Sequence, residues 1–176
     1  MSHLPNLRQR QMRIARPPAD MSHMPPAFID FVKAHHVMTL ATSFNDEPYC
    51  CPLFYAYAEE EGCFVFLSES ATKHVRDIAH NMHVSAGIAL ETEVVGKIQG
   101  LQLQGLVYQP LGDMAKALRR TYMRRFPYAA LLNATLWMLE PTWAKLTDNR
   151  LGFGKKMTWK KPPLLNTDFL SEKSAR

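Results

Sequence analysis

Between Leu67 and Val75 the chain runs Ser68-Glu69-Ser70-Ala71-Thr72-Lys73-His74, three hydroxyls, a lysine and a histidine in close succession. The apolar run Phe64-Val65-Phe66-Leu67 leads into this group as a strand, and Val75, Ile78 and Ala79 follow at helical spacing. The group therefore opens a helix, with Ser70 as a candidate N-cap. Free backbone amides at a helix start, hydroxyl donors and an ammonium group together suit an anion. Lys73 supplies a point charge and His74 a conditional one. The chemistry implied is the binding of a phosphate-bearing ligand.

Other residues could serve the same end. Gln102 and Gln104 share one face of a strand over 98–109, with Leu101 and Leu103 on the other. Arg119, Arg120, Arg124 and Arg125 lie on or after one helix without neighbouring acids, as a cluster for an anionic partner would. Gly152-Phe153-Gly154-Lys155-Lys156 resembles a phosphate loop only superficially, because it lacks the Gly-x-x-x-x-Gly-Lys-Ser/Thr spacing. It reads instead as a tight turn carrying Lys155 and Lys156 towards a cleft. His35-His36 and the set His74, His80, His83 match no zinc spacing, so no metal is expected. No Ser-His-Asp arrangement can be argued, and no catalytic residue is assignable. Cys50, Cys51 and Cys63, two adjacent and the total odd, read as free thiols rather than a disulfide framework.

The elements that must position these groups follow from pattern. A helix starts near Pro25-Pro26 and carries Phe28, Phe31, Val32 and His35 on one face to about His36. Strands are expected over 37–43, 49–58 and 63–68, with turns at 44–47 and 59–62 and Pro48 at a strand edge. A helix over 72–81 precedes strands over 83–90 and 98–109. Asp113 is placed to cap a helix over 114–125, Pro127 breaks it, and a helical turn over 128–133 leads to a last strand over 136–146. The fold class is mainly β with helices, five or six antiparallel strands forming a small barrel.

The chain has 176 residues, enough for one domain with a real core. Its apolar share of 47% and charged share of 21% are ordinary for a globular protein. No apolar run approaches the ~20 residues of a membrane span, and the N-terminus lacks a signal-peptide core, so the expected location is the cytoplasm. The net charge of +5 is unevenly spread. Residues 26–112 hold ten acids and four bases, whereas residues 113–176 hold thirteen bases and five acids. The basicity belongs to the ends, away from the candidate anion site, and nucleic-acid binding is not favoured. Residues 1–24, with Arg8, Arg10, Arg13 and Arg16 among prolines, read as a disordered basic extension. The domain proper is drawn at 25–160, with 161–176 as a flexible tail.

The order of motifs resembles the FMN-binding split-barrel superfamily typified by pyridoxamine 5′-phosphate oxidase. The residues that carry the likeness are Ala41-Thr42, Asn45-Asp46, Pro48, Leu67-Ser68, Thr72-Lys73 and the stretch 81–88. Arg124-Arg125-Phe126-Pro127, Thr147-Asp148-Asn149 and Leu151-Gly152-Phe153-Gly154-Lys155-Lys156 resemble a smaller, poorly characterised bacterial branch. The resemblance implies a six-stranded antiparallel split barrel, usually homodimeric, acting as a flavin-dependent oxidoreductase. It implies that Ser68, Ser70, Thr72, Lys73 and His74 hold the FMN phosphate. The isoalloxazine would touch the chain at 40–42, including Thr42, and at 52–55, including Leu53, Phe54 and Tyr55. Gln102 or Gln104 would meet its polar edge, with Gln99 as the choice if the register slips. Arg124, Arg125, Lys155 and Lys156 would serve a substrate or the phosphate held by a second subunit. Relatives often carry Arg-Lys where this chain has Thr72-Lys73-His74, which implies a weaker phosphate grip. The alternative is a non-catalytic module binding flavin, haem or another anionic ligand.

Overall fold

The computed structural model describes residues 23–152 and 154–161. The extension over 1–22 and the tail over 162–176 lie outside the described residues. The first helix, α1 (Pro26–Ala34), has Pro26 in its first turn, where the missing N–H is harmless, and buries Phe28, Phe31 and Val32. Met24, just before it, is also in the core.

Strands β1 (Val37–Phe44) and β2 (Glu47–Phe54) form a hairpin in register from Val37 opposite Phe54 to Phe44 opposite Glu47. Asn45 and Asp46 make the two-residue turn with positive φ at both positions, the hand that matches strand twist. Alternation along β1 buries Met38, Leu40 and Thr42 and leaves Thr39, Ala41 and Ser43 on the outer face. β2 tolerates Pro48 and Pro52 because it is an edge strand, paired with β1 alone.

The chain then passes through Tyr55 into β3 (Ala56–Ala58), which is the opposite edge of the same sheet. Tyr55 is fully buried; its N–H donates to His36 O at 3.0 Å and its hydroxyl to Val32 O at 2.8 Å. One residue thus separates the two ends of the sheet, and the sheet must curl to allow it. β4 (Cys63–Ser68), α2 (Lys73–His80), β5 (His83–Leu90), β6 (Gln99–Tyr108), α3 (Gly112–Arg125), β7 (Thr135–Asp148) and β8 (Lys156–Lys160) complete the chain. The strand order is β2-β1-β5-β6-β7-β4-β3, all antiparallel, with β8 added to β7. This curled half-barrel fits the split-barrel class.

Inside the curl pack Met38, Leu40, Phe64, Phe66, Leu101, Leu103 and Leu139; a second cluster, with Leu118, Tyr122 and Phe126, seats α3 on β3, β4 and β7. At roughly 1.5–3 kcal/mol for each fully buried large apolar side chain, these contacts dominate the stability of the fold.

Several expectations need correction. The sheet has seven strands in its path plus β8, rather than six. The strand expected over 49–58 is two strands, because Tyr55 turns the chain from one edge to the other. β8 was not foreseen, since it is short and mostly polar and exists only by pairing with the C-terminal half of β7. Asp113 lies inside α3, whose N-cap is Leu111, and Ser70 does not cap α2, whose N-cap is Thr72.

Candidate ligand-binding site

β4 delivers Ser68 and β1 delivers Thr42 to the first two turns of α2, which lies against β1 and β2. Its buried stripe is His74, Val75, Asp77 and Ile78, so two polar side chains enter the interior with the apolar ones. Asp77 is 2% exposed. Thr42 Oγ1 donates to its Oδ2 at 2.8 Å, and Lys73 Nζ, one helical turn earlier, donates to Oδ1 at 3.0 Å and Oδ2 at 3.3 Å. Burial alone raises a carboxyl's pKa. Here the hydrogen bonds from Lys73 and Thr42 and the charges of Lys73 and Arg76 outweigh it, so Asp77 stays below its ordinary value and ionised. Lys73 also lies 5.5 Å above the Tyr49 ring.

His74 is buried, and its hydrogen-bond partners are neutral, although the Asp77 carboxylate acts on it against the effect of burial. Its Nε2 is 2.6 Å from Ser68 Oγ and 3.2 Å from Thr72 Oγ1, and its Nδ1 is 3.4 Å from Cys51 Sγ. The Thr72 hydroxyl donates to Glu69 O at 2.8 Å, so towards Ser68 and His74 it can only accept. The network is satisfied when His74 Nε2–H donates to Ser68 and Ser68 donates to Thr72, an assignment that leaves Nδ1 to accept from the Cys51 thiol. Burial lowers the His74 pKa and raises that of Cys51; neutral imidazole and neutral thiol face each other. His74 therefore supplies no cation at neutral pH.

The remaining groups at the helix start divide by exposure. Ser70 is exposed. Arg76 donates to Ala71 O at 3.1 Å. No side chain caps the first turn of α2, and no acid lies in it, so its leading amides keep the geometry of an anion site.

On the outer face of the sheet lies an open depression of about 480 Å³. Ala41 and Ser43 of β1, Ser85 of β5, Gln104 and Gly105 of β6 and Thr142 of β7 line it, with Asn81 and His83 at its end. Small residues leave the space: Ala41, Ser85 and Gln104 stand side by side in register. Asn81, the C-cap of α2, shapes its end. The Asn81 amide donates to Ser43 O at 3.2 Å and its carbonyl oxygen accepts from His83 N–H at 3.1 Å. The pairing of β6 with β7 shifts between Gln104 and Gly105, where Thr142 is the extra residue on β7, and a Cβ on Gly105 would stand 2.3 Å from Glu140 O.

The expected site residues are thus only partly brought together. Ser68, Thr72, Lys73 and His74 form one cluster with Thr42, and Gln104 lines the depression. Gln102 is exposed on the same outer face without lining it, and Gln99 points inward, its amide donating to the buried Asp148 at 2.9 Å. Leu53 packs against the core, Tyr55 lies within it, and half-exposed Phe54 stacks on His36. None of the three lines the depression, because this part of β2 sits at the far end of the hairpin. Arg125 is an anchor: its guanidinium donates to Lys33 O at 3.2 Å and His35 O at 2.6 Å, pinning α3 to the end of α1. Arg124, Lys155 and Lys156 are exposed. Asp77 was not foreseen as part of the site, although its i,i+4 spacing from Lys73 was a readable signal. Asn81 and Ser85 were missed as well.

No protein-family model matches the chain. A UPF0306 protein of Klebsiella pneumoniae is 34% identical over 131 residues, spanning 74% of this chain and 89% of the relative. One from Photorhabdus laumondii is 34% identical over the same length, spanning 92% of that relative. The chain belongs to the UPF0306 family. Among solved structures, a haem-binding protein from Mycobacterium smegmatis superposes with a TM-score of 0.65 at 20% identity, covering 84% of this chain and 60% of that longer one. A FAD-binding protein from Mesorhizobium loti gives 0.59 at 15% identity, over 70% of this chain and 94% of that one. HutZ, the haem storage protein of Vibrio cholerae, gives 0.56 at 16%, over 68% and 90%. At these identities the likeness establishes that this UPF0306 protein shares their fold. Among the described residues no helix is long and apolar enough to cross a membrane, and no cluster of three or more His, Cys, Asp or Glu is disposed to hold a metal.

Proposed function

We propose that this UPF0306 protein binds a flavin, FMN in the first instance, and acts in the cytoplasm as a homodimeric flavin-dependent oxidoreductase on a small molecule. The observation that carries the reading is the depression on the outer sheet face. Its volume of about 480 Å³ falls in the range of small-molecule sites, and its walls mix small apolar residues such as Ala41, Pro48 and Val84 with hydroxyl and amide side chains. The Gln104 amide offers both a donor and an acceptor to the pyrimidine edge of the ring. The uncapped start of α2, with Ser70 and the amide groups of its first turn, suits the phosphate. A bound flavin would supply the hydride or electron chemistry, and the chain's residues would bind and orient it. That a FAD-binding and two haem-binding proteins share the fold supports this class of ligand. Thr39 and Gly87, paired across β1 and β5 one step along from the depression, give the outer face small residues that suit a second copy. The free thiols Cys50, Cys51 and Cys63 suit a reducing compartment.

The visible spectrum of the purified protein tests the reading. Flavin bands, or saturable quenching of added FMN fluorescence, with bleaching by a nicotinamide donor, are the expected result. A protein that takes up no added flavin overturns it. Light scattering on a sizing column gives the dimer mass or refutes it. A second reading, a non-catalytic haem carrier, is favoured by one feature: His83 offers an exposed imidazole at the end of the depression. It requires a Soret band with added haemin that His83→Ala abolishes.

A further inference from the structure

We infer that Asp77 is a specificity-determining residue of the α2 site: it holds the Lys73 ammonium away from an incoming phosphate, so the protein recognises the flavin ring system with little regard to the phosphate ester. This rests on the flavin reading proposed above. The geometry is a closed set of commitments. Lys73, the cation best placed at the helix start, makes two contacts of 3.0 and 3.3 Å to one carboxylate. That carboxylate is buried, and its second oxygen also accepts from Thr42, a buried hydroxyl on β1. An ion pair anchored on its buried side keeps its geometry, unlike a pair between two solvated side chains. The neighbouring basic groups offer no substitute. Arg76 is turned to Ala71 O, and His74 is enclosed by Ser68, Thr72 and Cys51. What remains for an anion is the set of uncapped amides, whose dipole attraction is weaker than a free ammonium. Phosphate would also have to approach the Asp77 carboxylate, whose charge offsets that of Lys73.

FMN and riboflavin differ only by the phosphate, so their dissociation constants, measured by fluorescence quenching, report the grip directly. Inorganic phosphate, titrated by calorimetry, reports it without any flavin. For the wild-type protein the two flavins should bind within about threefold of each other, and inorganic phosphate should show no saturable binding in the millimolar range. Asp77→Asn keeps the Thr42 hydrogen bond and releases Lys73. FMN should then tighten about tenfold, the size of one charge-assisted hydrogen bond, while riboflavin stays unchanged and phosphate binding appears. The double variant K73M/D77N should return the FMN-to-riboflavin ratio to the wild-type value. A wild-type preference for FMN of tenfold or more overturns the inference, and needs no variant to be seen. So does an Asp77→Asn protein with unchanged phosphate and FMN affinity. If no variant binds either flavin, the flavin reading fails, and the phosphate titration alone then decides the role of Asp77: a gain on Asp77→Asn supports it and no gain overturns it.

Discussion

Two buried aspartates, Asp77 and Asp148, are 2% and 4% exposed, and each is held by one cation and one neutral side chain from another element. Asp77 takes Lys73 and Thr42; Asp148 takes Arg150 and Gln99. Their surroundings nonetheless give them different work. Asp148 ends β7 and caps the turn over 149–151, accepting from the Arg150 backbone N–H at 3.0 Å, from its Nε at 3.0 Å and from its Nη2 at 2.8 Å. The turn it fixes is tied onward by Asn149, which donates to Val95 O and accepts from Gly154 N–H. Asp77 sits within a helix, its side chain caps nothing, and it holds a cation in the first turn of α2. The same chemical arrangement serves scaffold in one place and ligand selectivity in the other.

The sharpest way to break this contrast is to delete both carboxylates. Asp148→Ala strips acceptors from the buried Gln99 amide and from the turn, and should cost about 3 kcal/mol in urea unfolding. Asp77→Ala orphans mainly the Thr42 hydroxyl, while Lys73 can reach water, and should cost about 1–2 kcal/mol. Equal losses, or a reversed order, would mean that Asp77 is scaffold too.

Acid titration sharpens the comparison further. Both carboxyls lie below their ordinary value of 3.8 in the folded state: Arg150's hydrogen bond is the main cause for Asp148, and for Asp77 its partners prevail over burial. Each contributes stability that is complete above the unfolded carboxyl's range and is lost as pH falls towards the lower folded value. His74, lowered by burial from 6.5, adds an earlier limb: the unfolded chain binds its proton first, so stability declines as pH drops below about 6.5. Urea midpoints across pH should show both limbs, with His74→Gln removing only the earlier one. A smaller effect is expected from Thr42→Val, about 1 kcal/mol, because it removes a single bond to Asp77. At the bottom of the scale, Lys155→Ala and Lys156→Ala should stay within about 0.5 kcal/mol of wild type. A larger loss would put those lysines in the scaffold.

Much of the fold was legible because its signals are local. Alternation located β6 and β7, apolar and β-branched runs located β1 and β4, Asn45-Asp46 located the hairpin turn, and Pro25-Pro26 the start of α1. The split at Tyr55 was not legible, since Tyr49 to Ala58 reads as one strand and only the closing of the sheet turns the chain. At the site, the cluster around α2 was readable as a group of residue types, but its electrostatics were not. Whether Lys73 is free depends on Asp77 entering the interior to meet Thr42, thirty-five positions earlier in the chain. Likewise His74 reads as a conditional cation until Ser68 and Cys51 are seen to enclose it. Arg125 reads as one of four basic residues, and only the end of α1 reveals its carbonyl partners.

β7 has a consequence for exchange with solvent. Its one edge pairs along most of its length with β6, and its other edge is shared by β4 over residues 135–139 and β8 over residues 143–147. A strand clasped on both sides has few amides that can open alone. In deuterated water its protons should be among the last to be replaced, at the rate of global unfolding. Those of β2, an edge strand interrupted by two prolines, should go far earlier. The depression would then have a slow wall at Ser85 and Gln104, on strands paired on both sides, and a fast margin along β2 beside Pro48, and a ligand that slowed exchange along β2 would reveal itself there first.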